Sequence, residues 1–456
     1  MKKQIRLNGF TQNSVAPHSP GLWRYPEDQG QRHGDLDYWI ELAQLLEKGK
    51  FDAIFLADVI GIYDVYGDSY KTAVEHAVQV PLHDTLLQIS AMAAVTKNLS
   101  FAPTYSATYT QPYKLAREFS TLDHLTKGRV AWNIVTSYLK SEAINLGLDK
   151  QIEHNTRYER ADEYMDVVYK LWEYSWEDDA IVANKETGVY ADPNKVHPIN
   201  HKGEFFSVPG VHLVDPSPQR TPVLFQAGAS ARGRDFAGKH AEAVFTTIAN
   251  NVEELKTFVT DIRDRAEKYG RNREDIKIFP AIVPIVGATE AEAQAKYEEL
   301  TSYLSYEGTS VLLSGHTGVD FSQYDPDQYV ENVITDASHG FLQKYTVAST
   351  SKRWTVREAV LHHGLGIGAT KIIGTPEQIA DELEVLATEG DADGFNIIQA
   401  ASPATFKDFI EHVVPVLQAR GIYRTEYEAS TLRENLFGKG RVHLPENHPA
   451  RKLSLK

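Results

Sequence analysis

Residues 129–149 read RVAWNIVTSYLKSEAINLGLD. The β-branched run of Val130, Ile134 and Val135 predicts a buried strand over Val130–Ser137. Two large side chains able to hydrogen-bond, Trp132 and Asn133, interrupt it, and the hydroxyls of Thr136 and Ser137 close it. A strand that ends in hydrogen-bonding groups is what a parallel α/β barrel needs, because such folds hold their ligands at the C-terminal ends of the strands. Seven more short apolar runs extend the pattern: Ile5–Phe10, Ala53–Asp58, Leu99–Ala107, Val223–Gly228, Ala243–Ile248, Ile276–Val286 and Gly394–Gln399. Amphipathic helix patterns lie between or after them at Asp37–Lys48, Asp84–Val95, Tyr113–His124, Asn251–Tyr269, Pro376–Thr388 and Pro403–Gln418. Gly49, Gly128, Gly270 and Gly390 follow helices, as C-terminal glycines do. Strand–helix alternation argues for parallel β-structure with right-handed crossovers. Eight such strands predict a closed (β/α)8 TIM barrel, with an open doubly wound sheet as the alternative. The expected organisation is one barrel domain over residues 1–456, with insertions at about 138–222 and 288–375. The first insertion holds a helix (Arg157–Trp172) and a Pro/His-rich segment (Asp192–Pro222); a charged extension runs over about 420–456.

The chain has 456 residues, a net charge of −15, 42% hydrophobic residues and no cysteine. A length of this size suggests two or three domains by default, but a barrel with insertions accommodates it. The acidity and the lack of any long basic stretch argue against nucleic acid as a partner. Without cysteine there is no disulfide, no thiolate metal site and no thiol nucleophile. No apolar stretch follows Lys2 and Lys3, so no signal peptide is expected. Nor does any window reach the ~18 apolar residues of a membrane span. The expectation is a soluble cytoplasmic protein.

At the predicted strand ends stand Phe10, Asp58, Thr104, Ser137 and the Gly228–Ala229–Ser230 turn. Asp58 follows six largely apolar residues, where an unpaired carboxylate is costly unless it caps a helix or meets a ligand. The small residues of QAGAS, before a helix, let backbone N–H groups approach an anion. In EHNTRYERADEY, His154, Arg157 and Tyr158 gather just before and inside a helix; they can cover a ligand or form a structural ion-pair cluster. The seventeen histidines show no metal spacing and no HExxH, so no metal is expected. His362 and His363 are adjacent and should point apart. His18 follows the first strand and His316 lies in the second insertion; if that insertion folds over the barrel mouth, both face one cavity, where imidazole suits proton transfer near neutral pH.

Seven stretches together resemble the flavin-dependent monooxygenases of the nitrilotriacetate, dibenzothiophene-sulfone, dimethyl-sulfide and long-chain-alkane group, within the bacterial luciferase-like superfamily. They are GLWRYPEDQ (21–29), KFDAIFLADV (50–59), TLDHLTKGRVAWNIVTS (121–137), EHNTRYERADEY (153–164), SPQRTPVLFQAGAS (217–230), DGFNIIQAASP (393–403) and FIEHVVPVLQARG (409–421). The similarity spans essentially the whole chain. It implies a barrel that binds reduced FMN supplied by a separate NAD(P)H-dependent flavin reductase. O2 then adds at flavin C4a, and one oxygen passes to a small-molecule substrate. The resemblance matches Asp58, Thr104, His154, Tyr158 and Ser230 to positions that hold FMN. It matches Asn133 and Ser137 to positions near the flavin, and His18 and His316 to histidines near substrate. Ala229 and Phe10 join the candidate cofactor-binding set on their own placement, Phe10 as one wall of an apolar slot for the ring. Ser14 stands where the alkane branch has cysteine, and Pro17 and Tyr138 also depart from that branch. An organosulfur substrate is therefore the leading expectation, with alkane or aminopolycarboxylate oxidation as alternatives. The remaining rivals are an F420-dependent oxidoreductase and a flavin-binding protein without catalysis. Relatives of this kind lead one to expect a homodimer or homotetramer.

Overall fold

The computed structural model describes residues 3–249, 251–330, 345 and 353–455. Part of the second expected insertion, 331–344 and 346–352, thus lies outside the described residues. In chain order the strands begin with β1 (Arg6–Gln12), β2 (Ala53–Ala57), β3 (Ser100–Ser106) and β4 (Ala131–Val135). Two small antiparallel hairpins follow, β5 (Ile181–Asn184) with β6 (Val189–Ala191) and β7 (His201–Lys202) with β8 (Ser207–Val208). Then come β9 (Val223–Gln226), β10 (Ala243–Thr246), β11 (Lys277–Val286), β12 (Thr370–Gly374) and β13 (Gly394–Ile398). All eight expected strands are present and parallel. They close a ring in the order β1-β2-β3-β4-β9-β10-β11-β13, with β13 returning to β1. The fold is a TIM barrel, and the open-sheet alternative is excluded by this closure.

Period-two alternation decides what each strand residue meets. In β4, Trp132 and Ile134 face outward into the layer between strands and helices, while Ala131 and Asn133 turn in. Trp132 packs on Phe119, Tyr164 and Trp172, and its indole N–H donates to the Tyr105 carbonyl at 3.0 Å. Inside the barrel, five rings form a continuous plug. Phe10 contacts Phe55 and Phe245 at 5.2 and 5.0 Å, Phe55 contacts Phe225 at 5.5 Å, and Phe225 contacts Phe279 at 5.9 Å.

Four details differ from the sequence expectation. β12 is unexpected: with only two apolar residues in Thr370–Gly374 it gives little signal, yet it pairs with the distal half of the ten-residue β11. The Asp84–Val95 helix is confined to Ile89–Val95. The Asp84 carboxylate accepts from the Leu86 amide at 2.7 Å and holds a turn at the expected helix start. The 403–418 helix widens into a π-turn at Phe409–Val413 just before Pro415, which has no N–H to offer the preceding turn. The Arg157–Trp172 helix starts at His154 and widens into a π-turn over Lys170–Tyr174. Among the described residues no helix is long and apolar enough to cross a membrane.

The extension after residue 420 folds back on the barrel's own N-terminal face. The Ile5 amide donates to the Ile422 carbonyl. Arg424 pairs with Asp52 at 2.6 Å, just before β2, where Asp52 also accepts from the Leu7 amide. Arg433, 1% exposed, forks onto Glu242 at 2.6 and 2.9 Å, and Glu242 also accepts from the Leu224 amide at 3.1 Å. This face serves stability, opposite the end where barrels hold ligands. Replacing Arg433 with Met strands a buried carboxylate beside β9 and β10. Urea denaturation should show a loss of roughly 3–5 kcal/mol; an unchanged unfolding midpoint would refute the role of this clasp.

Candidate active site

Adjacent strands place Thr104 opposite Asn133 in the β3–β4 register, both facing in, and the Asn133 amide donates to the Thr104 hydroxyl at 2.9 Å. Beyond β4 the backbone turns sharply, with Ser137 at φ +60°, a conformation a serine holds only when its surroundings fix it. Here they do. The Ser137 hydroxyl donates to Glu142 Oε1 at 2.7 Å and lies 2.7 Å from the Ser106 hydroxyl. Burial pushes Glu142 up to about 7, with Ser137's hydrogen bond and the Arg157 charge pulling it back. Asp58, at the end of β2, is pushed up to about 8 by burial and by the neighbouring Asp84.

On the far side of β4, β9 leads into the Gly228–Ala229–Ser230 turn and the Ala231–His240 helix. Ser230 caps that helix by accepting from the Gly233 amide at 3.0 Å. Gly228 is required by contact: a Cβ there would lie 2.3 Å from Gln226 Nε2 and 3.0 Å from the Tyr158 hydroxyl. Tyr158 is buried beneath the turn, its phenol raised by burial and partly relieved by hydrogen bonds with Thr136 and Ser230. Arg232 stacks over the Tyr158 ring at 5.3 Å and is held from behind by Asp162. Ala229 and Ser230 are exposed, so a helix N-terminus, a capping hydroxyl and a phenol face one open cradle suited to an anion. His154 lies at the rim, exposed, with its ring 5.2 Å from Tyr158. Arg157 donates to the Ile152 carbonyl at 2.5 Å, and its charge acts on Glu142.

A third group covers the mouth. The helix Tyr306–Thr317, from the second insertion, brings His316 to Tyr63. The approach is so close that a Cβ on Gly315 would lie 2.1 Å from the Tyr63 ring. His316 Nε2 is 3.2 Å from the Tyr63 hydroxyl, and its Nδ1 is 2.9 Å from His363 Nε2. The Tyr63 hydroxyl also meets the Tyr138 hydroxyl and donates to Gln79 Oε1 at 3.1 Å. Gln79 accepts from Gln12 at 3.0 Å and donates to the Pro17 carbonyl at 3.0 Å, and Ser14 donates to Gln12. His18 lies in the same region, stacked on Phe10 at 4.5 Å, with neither ring nitrogen hydrogen-bonded among the described residues. Burial first, then the His316 charge, lowers it to about 3, against a weak opposing pull from the Pro17 carbonyl.

The structure thus brings His18, His316, Asp58, Thr104, Asn133, Ser137, Tyr158, Ala229 and Ser230 to the C-terminal end of the barrel. Phe10 differs from its expected role: His18 covers one face and Phe245 the other, so it belongs to the floor and not to an open slot. His362 and His363 do point apart, His362 toward Tyr345 and His363 toward His316. Sequence reasoning missed Tyr63, Gln79, Glu142 and His363. The first two lie in the long 58–88 connection, where the aromatic-rich IGIYDVYGDSY is the available signal. Among the described residues no cluster of His, Asp and Glu could hold a metal ion.

The fold is that of a TIM-barrel enzyme, with the candidate site at the C-terminal ends of its strands. The chain belongs to the luciferase-like monooxygenase family, which it matches over residues 10–419. It is 52% identical to a long-chain alkane monooxygenase of Geobacillus thermodenitrificans over 450 residues, 99% of this chain and 98% of that one. It is 48% identical to the dimethyl-sulfide monooxygenase of Hyphomicrobium sulfonivorans over 99% of this chain and 94% of the relative. A crystal structure of riboflavin lyase with modified FMN and riboflavin superposes with a TM-score of 0.92 at 36% identity, covering 98% of this chain and 99% of that one. The protein is accordingly a monooxygenase of this family.

The neutral, buried His18 has a consequence for stability. Its folded value is depressed, so between the unfolded value of 6.5 and about 3 the unfolded chain binds a proton that the folded chain refuses. Stability from this group is full above 6.5 and lost as pH falls below it. Replacing His18 with Gln should flatten the stability–pH slope between pH 5.5 and 4 by about 1.4 kcal/mol per pH unit. An unchanged slope in denaturant titrations would show that His18 already protonates in the folded state.

Proposed function

We propose that the chain binds reduced FMN at the barrel mouth and, with O2, oxygenates a small organosulfur molecule. The observation that carries this reading is the meeting, at one barrel end, of an open anion cradle and a covered, buried cluster of histidine, tyrosine and glutamine side chains. The FMN fit rests on the cradle over Gly228 and Tyr158, and on Asn133 Oδ1 and Gln226 Oε1, buried without partners among the described residues. Ser230, the Ala229 amide and Tyr158 would hold the phosphate, with His154 at its rim; Asn133, Thr104, Asp58 and Ser137 would border the ring. Reduced FMN, when bound, supplies the electrons and the activation of O2.

The chain's own groups have distinct tasks. The insertion helix carrying His316 excludes water over the mouth. His316, bonded to Tyr63 on one nitrogen and His363 on the other, can hand a proton toward Tyr63 and take one from behind. His18 stays neutral and so is available as an acceptor or as a neutral donor. The linked side chains of Ser14, Gln12, Gln79, Tyr63 and Tyr138 suit a substrate with a polarised heteroatom; a plain alkane offers them nothing. Reducing equivalents would come from a separate NAD(P)H-dependent flavin reductase. One relative, nitrilotriacetate monooxygenase component A, bears a multi-component system in its name.

The test is turnover with FMN, NADH and a flavin reductase on sulfides, sulfones, alkanes and aminopolycarboxylates, read by mass for one added oxygen or a lost fragment. A sulfide or sulfone product supports the proposal. Oxygen consumed without oxygenated product from any sulfur compound contradicts it, and turnover with reduced F420 in place of FMN would replace it. His316→Ala should lower product formation about a hundredfold while FMN still binds; if nothing is lost, the histidine cluster has no catalytic part. Tyr158→Phe should weaken FMN binding by about five- to tenfold through the loss of one hydrogen bond, measured by fluorescence titration.

A further inference from the structure

Three hydroxyl and carboxyl groups, Ser106 at the end of β3 and Ser137 and Glu142 beyond β4, form a chain whose direction is set by the chemistry of its ends. At one end the Thr108 and Tyr109 amides donate to Ser106 Oγ at 3.2 and 3.4 Å. A backbone N–H can only donate, so Ser106 accepts there and its own hydrogen goes to Ser137 Oγ, 2.7 Å away. At the other end Glu142, once ionised, can only accept, and it takes the Ser137 hydrogen at 2.7 Å. Ser106, Ser137 and Glu142 are all buried, so water does not reopen the question of direction. Ser137 has then spent its hydrogen and one lone pair. The single capacity left to it is to accept one hydrogen bond.

We infer that Glu142, by fixing the direction of this chain, makes Ser137 an acceptor only and thereby biases the site toward the reduced isoalloxazine over the oxidised one. The inference rests on the FMN reading above. Oxidised isoalloxazine carries one ring N–H, at N3, and presents bare lone pairs at N5 and N1. Reduction places hydrogen on N5, turning that edge from acceptor to donor. A ring nitrogen that bears hydrogen can bond to an acceptor-only serine, whereas a bare one meets it lone pair to lone pair. Glu142 is a positioning residue in this account, acting through Ser137. The charged and titratable groups that interact with it are Arg157 from the His154–Tyr169 helix, Asp58 beyond β2, Tyr63 and Tyr138 at the mouth, and Tyr109 beyond β3. Arg157 favours its ionised form, and the value of about 7 leaves it a carboxylate at pH 8.5.

The experiment is anaerobic titration at pH 8.5 of the full-length protein with oxidised FMN and with dithionite-reduced FMN, giving the ratio of the two dissociation constants. Wild type, Glu142→Leu, Ser137→Ala and the double variant form a cycle. Glu142→Leu frees the Ser137 hydrogen and should narrow the preference for the reduced form about tenfold, the worth of one good hydrogen bond. Ser137→Ala, a minimal change that tests the claim even if the Leu variant does not fold, should narrow it to a similar extent. In the Ser137→Ala background the Leu substitution should change the ratio less than about twofold. An unchanged ratio in Ser137→Ala or Glu142→Leu overturns the inference. So does an equal effect of Glu142→Leu with Ser137 absent, since that marks a direct charge effect of the carboxylate. Those outcomes leave the FMN reading standing; failure of wild type to bind either form overturns both.

Discussion

The barrel's interior is closed by rings. Phe10, Phe55, Phe225, Phe245 and Phe279 come from five strands of the ring and fill its axis, so the hollow of a parallel barrel becomes a packed floor. Truncating any one would open a cavity costing about 3–5 kcal/mol, and the larger effect would be on what stands above it. His18 stacks directly on this plug, and β3 and β4 set Thr104 and Asn133 at the same end of the barrel. The floor excludes water from below, as the insertion helix carrying His316 does from above. The electrostatics of the mouth follow: imidazole at His18 resists protonation, while the carboxyls of Asp58 and Glu142 resist ionisation.

The site divides along this gradient of burial. Its anion end, at Ala229 and Ser230, is open to solvent and rests on backbone amides, a capping hydroxyl and the Tyr158 phenol. Its chemical end, at His18, Tyr63, Gln79 and His316, is covered and fully hydrogen-bonded apart from His18. A cofactor with a charged tail and a flat, proton-exchanging head fits such a division better than a uniformly polar or uniformly apolar ligand does. The opposite face of the barrel carries the arginine clasps to Asp52 and Glu242, so stability and chemistry occupy separate ends.

Much of this is legible in the sequence because it depends on local pattern. The β-branched runs and the glycine-bearing QAGAS turn declare strands and a strand–helix junction by themselves. The row of hydroxyls that ends Val130–Ser137 marks the mouth, since an apolar strand has no other use for them. What is not legible depends on partners distant in the chain. Nothing near Glu142 shows that Ser106, thirty-six positions earlier, will complete a chain through Ser137. Tyr63 and Gln79 gain meaning only when the helix carrying His316 crosses them. β12 carries too few apolar residues to announce itself. Phe10 reads as a wall because its two covering rings, His18 and Phe245, cannot be paired with it from sequence.

The central claim is that reduced FMN lodges at this mouth with its phosphate in the Gly228–Ser230 cradle. A crystal structure of the anaerobic complex with reduced FMN tests it most directly. The account predicts phosphate density against Ser230 and the Tyr158 hydroxyl, with the ring directed to the end that holds Ser137 and His18. Phosphate bound elsewhere on the molecule, or a mouth left without flavin at saturating FMN, would contradict it.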